Sequence, residues 1–300
     1  MAKKIIGMTC GKKNGNSEML LKAALMGAEE FGVESEILRV MDFEVLPCRG
    51  CWGCTKTGKC IHKDDVEWIL EKTVLGDTGL IVSAPVYHVR TNGLLICIAE
   101  KMNHVWRKDW DTLKKTRMGG IISVGGSGYD GWTSLGLTTI NLFLQHIRLL
   151  VDQVQVNHCA QKGAALTPDN KWAIERCKQL GRNVAKAMSM PPEKVKFMGE
   201  ETAVSCPVCH CNIIYVEKDF PEIACPICAV HGTVKYAGGK FKVNWNMEDA
   251  KHPRFSFEGE KHHMEWLSNH HKEEFAQLAL PETKELIKQY ETYGKYLKPD

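Results

Sequence analysis

No run of eighteen consecutive apolar residues occurs in this chain of 300, so the sequence offers no membrane-spanning helix. A large excess of either charge is also missing. The 39 basic and 36 acidic residues leave a formal net charge of +3, and no basic run is interleaved with aromatics, which argues against nucleic acid as a partner. The opening MAKKIIGMTCGKKNG passes at once into a short strand-like run and is too polar for a secretion leader, so a cytoplasmic location is expected. There is no internal repeat or low-complexity tract. Two phosphate-binding signatures are absent from the loop that follows the first strand-like run. TCGKKNGNS is neither G-x-G-x-x-G nor a Walker A loop, which argues against a dinucleotide held in a glycine-fingerprint turn and against a nucleoside triphosphate.

What the chain does have is cysteine. Thirteen of them, without a leader, point to a reducing compartment in which clustered thiols serve metals or redox chemistry. Four fall close together as Cys48-x2-Cys51-x2-Cys54-x5-Cys60, with Gly50, Gly53 and Gly58 between them to let the backbone fold tightly. Three cysteines at steps of three with a fourth nearby fit the ferredoxin style of [4Fe–4S] ligation. A zinc site, a redox dithiol and unligated thiols packing a loop are the alternatives. A second set, Cys206-x2-Cys209 and Cys225-x2-Cys228, is split by fifteen residues and set among β-rich runs. Two such knuckles indicate a zinc ribbon or a rubredoxin-like iron site. Structural zinc is favoured, because so small a β module lacks its own core and gains folding energy from the metal. Cys211 reads as a packing thiol, His210 and His231 as surface histidines, and Cys97, Cys159 and Cys177 as core thiols.

The first 190 residues alternate strand and helix. Strands are expected at 3–8, 33–40, 80–83, 118–124 and 149–156, and helices after 17, at 65–72, 95–106, 134–146 and 169–188. The loop between the first strand and helix carries Gly11 and Gly15 for turns, Lys12 and Lys13 for charge, and Thr9, Asn14, Asn16 and Ser17 as donors at a helix N-terminus. That composition suits a single phosphate monoester and leaves a mononucleotide such as FMN as its ligand. Pro85, Val86 and Tyr87 end the third strand, where open α/β sheets bind ligands, and Tyr87 offers a ring to stack on a flat cofactor. Gly125, Gly126, Gly128 and Gly131 follow the fourth strand, beside Tyr129 and Trp132. Tyr87, His88 and Asp130 are candidate acids or bases by position alone.

The GKKNGNS loop, the cysteine segment ending in Asp64-Asp65, the SAPVY strand end and the glycine-bearing fourth loop occur in the order seen in the iron–sulfur flavoproteins. The chain resembles that family, a branch of the NADPH-dependent FMN reductase-like proteins, over residues 1–188. The resemblance implies an α/β, flavodoxin-like, doubly wound five-stranded parallel sheet. It further implies FMN phosphate at Thr9, Lys12, Asn14, Asn16 and Ser17. The isoalloxazine ring would lie between Pro85, Val86 and Tyr87 on one side and Gly125 and Gly126 on the other. Cys48, Cys51, Cys54 and Cys60 would hold a [4Fe–4S] cluster, in a homodimer or homotetramer. The expected activity is electron transfer from ferredoxin or NAD(P)H, through cluster and FMN, to a redox protein or a small organic molecule. The alternatives are a cluster-free reductase of quinone, nitro, azo or a dedicated metabolite, and a non-catalytic metal-binding adaptor.

The expected organisation is a flavodoxin-like domain at 1–190, a linker at 191–204, the metal module at 205–245 and a helical extension at 246–300. His262, His263, His270 and His271 there read as a polar face or subunit contact.

Overall fold

The computed structural model describes residues 3–102, 110–128, 130–216 and 220–294. The chain divides into two compact units, Met1–Phe255 and Ser256–Asp300.

In the first unit, β1 (Lys4–Thr9), β2 (Glu34–Arg39), β3 (Gly79–Tyr87), β5 (Arg117–Val124) and β6 (Arg148–Val156) form a parallel sheet in the order β2-β1-β3-β5-β6. This is the flavodoxin-like doubly wound topology, whose strand order reverses between β1 and β3. The central strands are nearly continuous apolar runs because helices cover both faces, and all eight residues of β5 are buried. A two-residue strand, β4 (Arg90–Thr91), folds back antiparallel on the end of β3. Among the described residues its helices are α1 (Asn16–Glu29), α2 (Gly53–Thr57), α3 (Val66–Thr73), α4 (Gly93–Glu100), α5 (Trp110–Leu113), α6 (Gly136–Leu144) and α7 (Lys171–Ala187).

On one face α1 and α7 cross so closely that a Cβ at Gly181 would stand 1.7 Å from the Ala24 carbonyl oxygen, and one at Gly27 would stand 2.1 Å from that of Lys178. Glycine is what lets two backbones approach to that distance. Leu20, Leu21, Leu25, Leu180 and Val184 fill the same core.

The cysteine-rich module forms a four-stranded antiparallel sheet of β7 (Tyr215–Val216), β8 (Glu222–Ala224), β9 (His231–Ala237) and β10 (Lys240–Trp245). The sequence placed it behind a linker as a separate domain, whereas it packs as part of the first unit. The Asn141 amide on α6 donates to the Cys209 carbonyl at 2.7 Å, and the Gln153 amide on β6 donates to the His210 carbonyl at 3.0 Å. Composition marks the linker but does not reveal these seams. The second unit holds α8 (Phe257–Leu278), capped by the Ser256 hydroxyl accepting from the Gly259 N–H, and α9 (Pro281–Glu291), which starts on a proline. It begins ten residues later than the sequence boundary at 246, since 246–255 pack with the cysteines. No helix among the described residues is long and apolar enough to cross a membrane.

Candidate functional site

The loops at the carboxyl ends of β1, β3 and β5 meet at the switch point. The first runs from Cys10 to Gly15 and delivers α1 with its N-terminus open, for the N-cap Gly15 supplies no side-chain hydrogen bond. Lys12 and Lys13 are exposed on it, and Thr9 is buried with its hydroxyl accepting from the Gly11 N–H at 3.2 Å. Asn14 turns the loop in the left-handed region at φ 54° and donates its N–H to buried Glu18. Glu18 is in turn held by Arg39 at 2.8 Å and Lys22 at 2.7 Å. The hydrogen bond from Arg39 leads in pulling the Glu18 carboxyl down to about 2, against the opposing effect of burial. A permanent carboxylate therefore fixes the turn, a role the sequence reading missed because Arg39 lies a strand away.

Asn16 departs from its expected place beside a phosphate. Its amide nitrogen donates to the carbonyls of Cys159 and Gln161, and its oxygen accepts from the N–H groups of Gly163 and Ala165. All four bonding positions of the side chain are used, so Asn16 ties the loop after β6 to α1 and leaves only its backbone N–H for an anion. Ser17 is buried at the same N-terminus, and its carbonyl accepts from the Ser83 hydroxyl at 2.8 Å.

At the end of β3, Pro85 and Val86 are half-buried and Tyr87 is 61% exposed. The chain then turns back through His88 and Val89, both left-handed at φ 49° and 72°. A β-branched residue in that region carries strain, and such strain concentrates at functional loops. The Val89 carbonyl accepts from the Leu135 N–H at 3.2 Å, which ties the segment that follows exposed Trp132 to this turn. Asn92 donates its amide to the Cys10 carbonyl at 2.7 Å and so joins the first and third loops.

Gly125 and Gly126 face their own chain. A Cβ at Gly125 would strike Thr133 at 2.3 Å, and one at Gly126 would press on the Ala160 backbone at 3.2 Å. His158, left-handed at φ 59°, packs its ring on Gly128. Asp130 begins a short 3-10 turn, while its side chain and Tyr129 lie outside the described residues. Four buried oxygens near these strand ends, Thr91 Oγ1, Asn92 Oδ1, Ser123 Oγ and Gln155 Oε1, have no hydrogen-bond partner among the described residues. Unmet polar demand of this kind, beside an open helix N-terminus and two exposed lysines, fits a flavin mononucleotide and its waters.

The loop of Cys48, Cys51, Cys54 and Cys60 is closed at its base by the two aspartates. Asp64 accepts from the Leu46 N–H at 2.9 Å and Asp65 from the Glu44 N–H at 2.8 Å. Left-handed turns at Gly50, Trp52 and Gly58 shape the loop, and all four cysteines line one cavity of about 80 Å³ with His62 and Lys101. Burial leads in pushing the Cys54 thiol up, and the other three cysteines add to it. Lys101 pairs with Asp64, both side chains 2% exposed, and the His62 Nε2 is buried with no partner among the described residues. Four thiols, a buried cation and an orphaned donor around one cavity fit an anionic cluster. The four sulfurs are not drawn to one point as those of the second set are.

That second set is gathered. The sulfurs of Cys206, Cys209, Cys225 and Cys228 are buried and lie within 4.8 Å of one another. The knuckles CPVCH and CPICA are built alike: His210 and Ala229 after each second cysteine are both left-handed at φ 57°, and each donates its N–H to the carbonyl of the knuckle's first cysteine. Hydrogen bonds among the thiols pull Cys206 and Cys225 down and hold Cys209 and Cys228 up, so the quartet shares protons that a tetrahedral cation would displace. Cys211 is buried against Thr138 at 3.6 Å and is a packing thiol. His210 is more than a surface histidine, for its ring stacks on Phe197 at 3.7 Å and pairs with Glu201. His231 is exposed and bound to Asp249. Burial raises the Cys159 thiol to about 11 and those of Cys10 and Cys177 to about 12, which leaves them inert.

The profile of the family described as NADPH-dependent FMN reductase matches residues 4–161, which are the sheet and its ligand loops. The chain belongs to that family. This reductase is 29% identical over 193 residues to an iron-sulfur flavoprotein of Methanocaldococcus jannaschii, covering 62% of the present chain and 98% of the relative. It is 34% identical over 129 residues to one of Methanosarcina thermophila, covering 43% and 66%. Among solved structures, a flavone reductase superposes with a TM-score of 0.79 at 21% identity, covering 99% of this chain and 100% of the other. The reductase thus shares its fold end to end with that structure, while the Methanocaldococcus relative is matched almost whole by less than two thirds of this chain. The protein is a flavin-dependent oxidoreductase, which removes the adaptor alternative.

Proposed function

We propose that this FMN reductase passes electrons from a nicotinamide donor to a planar, conjugated organic acceptor. The observation that carries the reading is the rim of the crevice, where Tyr87 (61% exposed) precedes the strained His88–Val89 turn and the segment carrying Trp132 (62% exposed) is tied to that turn through the Leu135 N–H, so that both rings offer flat apolar surfaces to an incoming ring. Support comes from the whole-chain likeness to a protein named flavone reductase, because the segment beyond the sheet domain is shared with it and is not matched in the Methanocaldococcus flavoprotein. Bound FMN supplies hydride chemistry between donor and acceptor. The chain's own part is to hold the phosphate with Thr9, Lys12, Asn14, the Ser17 N–H and the positive end of α1. Pro85, Val86 and Tyr87 flank the ring, and a proton reaches the acceptor carbon from the Tyr87 hydroxyl or the His88 ring. The test is NAD(P)H oxidation by the FMN-loaded protein against flavones, quinones, nitro and azo compounds. Consumption of a conjugated acceptor with one donor oxidised per molecule reduced supports the reading. Reduction by ferredoxin alone, with no organic acceptor consumed, would sink it.

A second reading is favoured by the cavity that all four loop cysteines line. Here the loop holds a [4Fe–4S] cluster that admits single electrons from ferredoxin, and the buried quartet holds structural zinc. Iron, zinc and acid-labile sulfide per chain, on protein purified without oxygen, decide it. About four irons and four sulfides with one zinc support the relay, and zinc without sulfide rejects it.

A further inference from the structure

A cavity of about 270 Å³ lies where the sheet domain meets the cysteine-rich module. β6 lines it with Gln153 and Gln155, α7 with Trp172 and Arg176, and the segment that enters the first knuckle with Glu200 and Asn212. Its volume falls just short of the ~300–1,000 Å³ of sites for drug-sized ligands, which suits a single substituted ring.

The charges in the wall disfavour an anion. The Arg176 guanidinium is already engaged, donating to the Asp152 carboxylate at 3.0 Å and to the Gln153 carbonyl at 3.0 Å. Asp152 is fully buried and neutralises it, and Glu200 adds a further carboxylate, so a phosphate or carboxylate ligand would meet a net negative lining. The polar groups disfavour a hydrocarbon. The Gln155 Oε1 is buried with no partner among the described residues, and an apolar guest would strip water from such groups while returning no hydrogen bond.

A neutral ligand rich in hydroxyls, with one apolar face, satisfies both conditions. The Trp172 ring is 51% exposed, and the negative face of an indole attracts the weakly positive C–H groups on one side of a saturated ring. Amides and a carboxylate around the rim can both donate to and accept from its hydroxyls. We propose that this cavity binds a pyranose ring, with Trp172 under the ring and Gln153, Asn212 and Glu200 on its hydroxyls. Such a ring has two sources, a free sugar or one carried on a planar aglycone. Gln155 links the cavity to the flavin crevice, for a Cβ at Gly136 would stand 3.1 Å from its Oε1 and 2.7 Å from Val86.

The test is saturation-transfer NMR and isothermal titration on the FMN-loaded full-length protein, without a nicotinamide donor. The probes are the methyl and 4-nitrophenyl glycosides of glucose, galactose and mannose, with phosphate and benzoate as competitors. At least one glycoside is expected to bind, with saturation passed to the C–H groups of one ring face. Trp172→Ala, with its flavin absorbance per chain retained, is expected to weaken that binding about tenfold, and Trp172→Phe to recover part of it. Equal affinity for the methyl and nitrophenyl forms identifies a free sugar as the ligand, and tighter binding of the nitrophenyl form identifies a sugar on a planar aglycone. Absence of binding by every glycoside, an affinity unchanged in Trp172→Ala, or displacement of the glycoside by phosphate or benzoate each overturns the proposal. None of these outcomes depends on which acceptor the enzyme reduces.

Discussion

Val89 is the residue whose local conformation conflicts most with its side chain. The sequence reading named Tyr87 and His88 but not this valine, which closes a two-residue hairpin turn at φ 72°, a position made for glycine or asparagine. Left-handed backbone costs an ordinary residue roughly 1–2 kcal/mol, so Val89→Gly is expected to raise stability by up to about that amount. The same change lets the turn relax and the Tyr87 rim move, so kcat/KM should fall although stability rises. Thermal melts and steady-state kinetics on one preparation check both signs, and a variant that loses stability would show that the valine packing outweighs the strain. Glu18 makes a second residue-scale case. Its carboxyl is held near 2 instead of 4.5, so the stabilisation is complete above about 4.5 and is lost as pH falls toward 2. Roughly 2 kcal/mol is at stake in a buried, hydrogen-bonded pair of this kind. Urea unfolding of wild type and Glu18→Gln should therefore differ clearly at neutral pH, with the gap narrowing below about 4.5 and closing only near pH 2. A constant gap would place the effect in packing.

At the scale of elements, strands and helices were largely legible because alternating apolar runs of strand and helix length leave few other solutions. The apolar strands emerged within a residue or a few of their expected bounds, and the cysteine spacing located both thiol sets. Invisible were the contacts that close each element on another: Asp64 and Asp65 clamping the cysteine loop, and Lys101 buried against it from α4. Asn16 shows the same limit. Its residue type suits a phosphate loop, yet its partners lie at 159–165, too far along the chain for spacing to reveal. Lys101 carries a prediction for the cluster reading. Its ammonium lines the cavity of the four cysteines, and a buried positive charge favours adding an electron to an anionic centre. Lys101→Met should shift the cluster's reduction potential downward, while Lys101→Arg should restore most of it, as read by redox titration followed by electron paramagnetic resonance. An unchanged potential in the methionine variant would remove Lys101 from the cluster's surroundings.

For the molecule as a whole, the question is whether the buried thiol quartet supports only its own module or the flavin domain too. The expected boundary at 191–204 treats the module as an appendage, and an appendage would unfold alone when its metal is removed. The packing predicts otherwise. The Asn141 side chain is buried on α6 and spends one donor on the Cys209 carbonyl, and Gln153 on β6 spends one on the His210 carbonyl. Once the knuckles come apart, each of these groups is left in a partly apolar seam without its partner, at about 1–3 kcal/mol apiece. If the quartet holds a tetrahedral metal as proposed, Cys225→Ser, or a strong chelator on the reduced wild type, should abolish its binding and also lower the temperature at which flavin is released. Calorimetry and flavin fluorescence followed together provide the check. Coincident transitions, both shifted down, would make the quartet a structural support of the reductase itself. A module transition that disappears while flavin release stays at its original temperature would restore the boundary that composition alone had drawn.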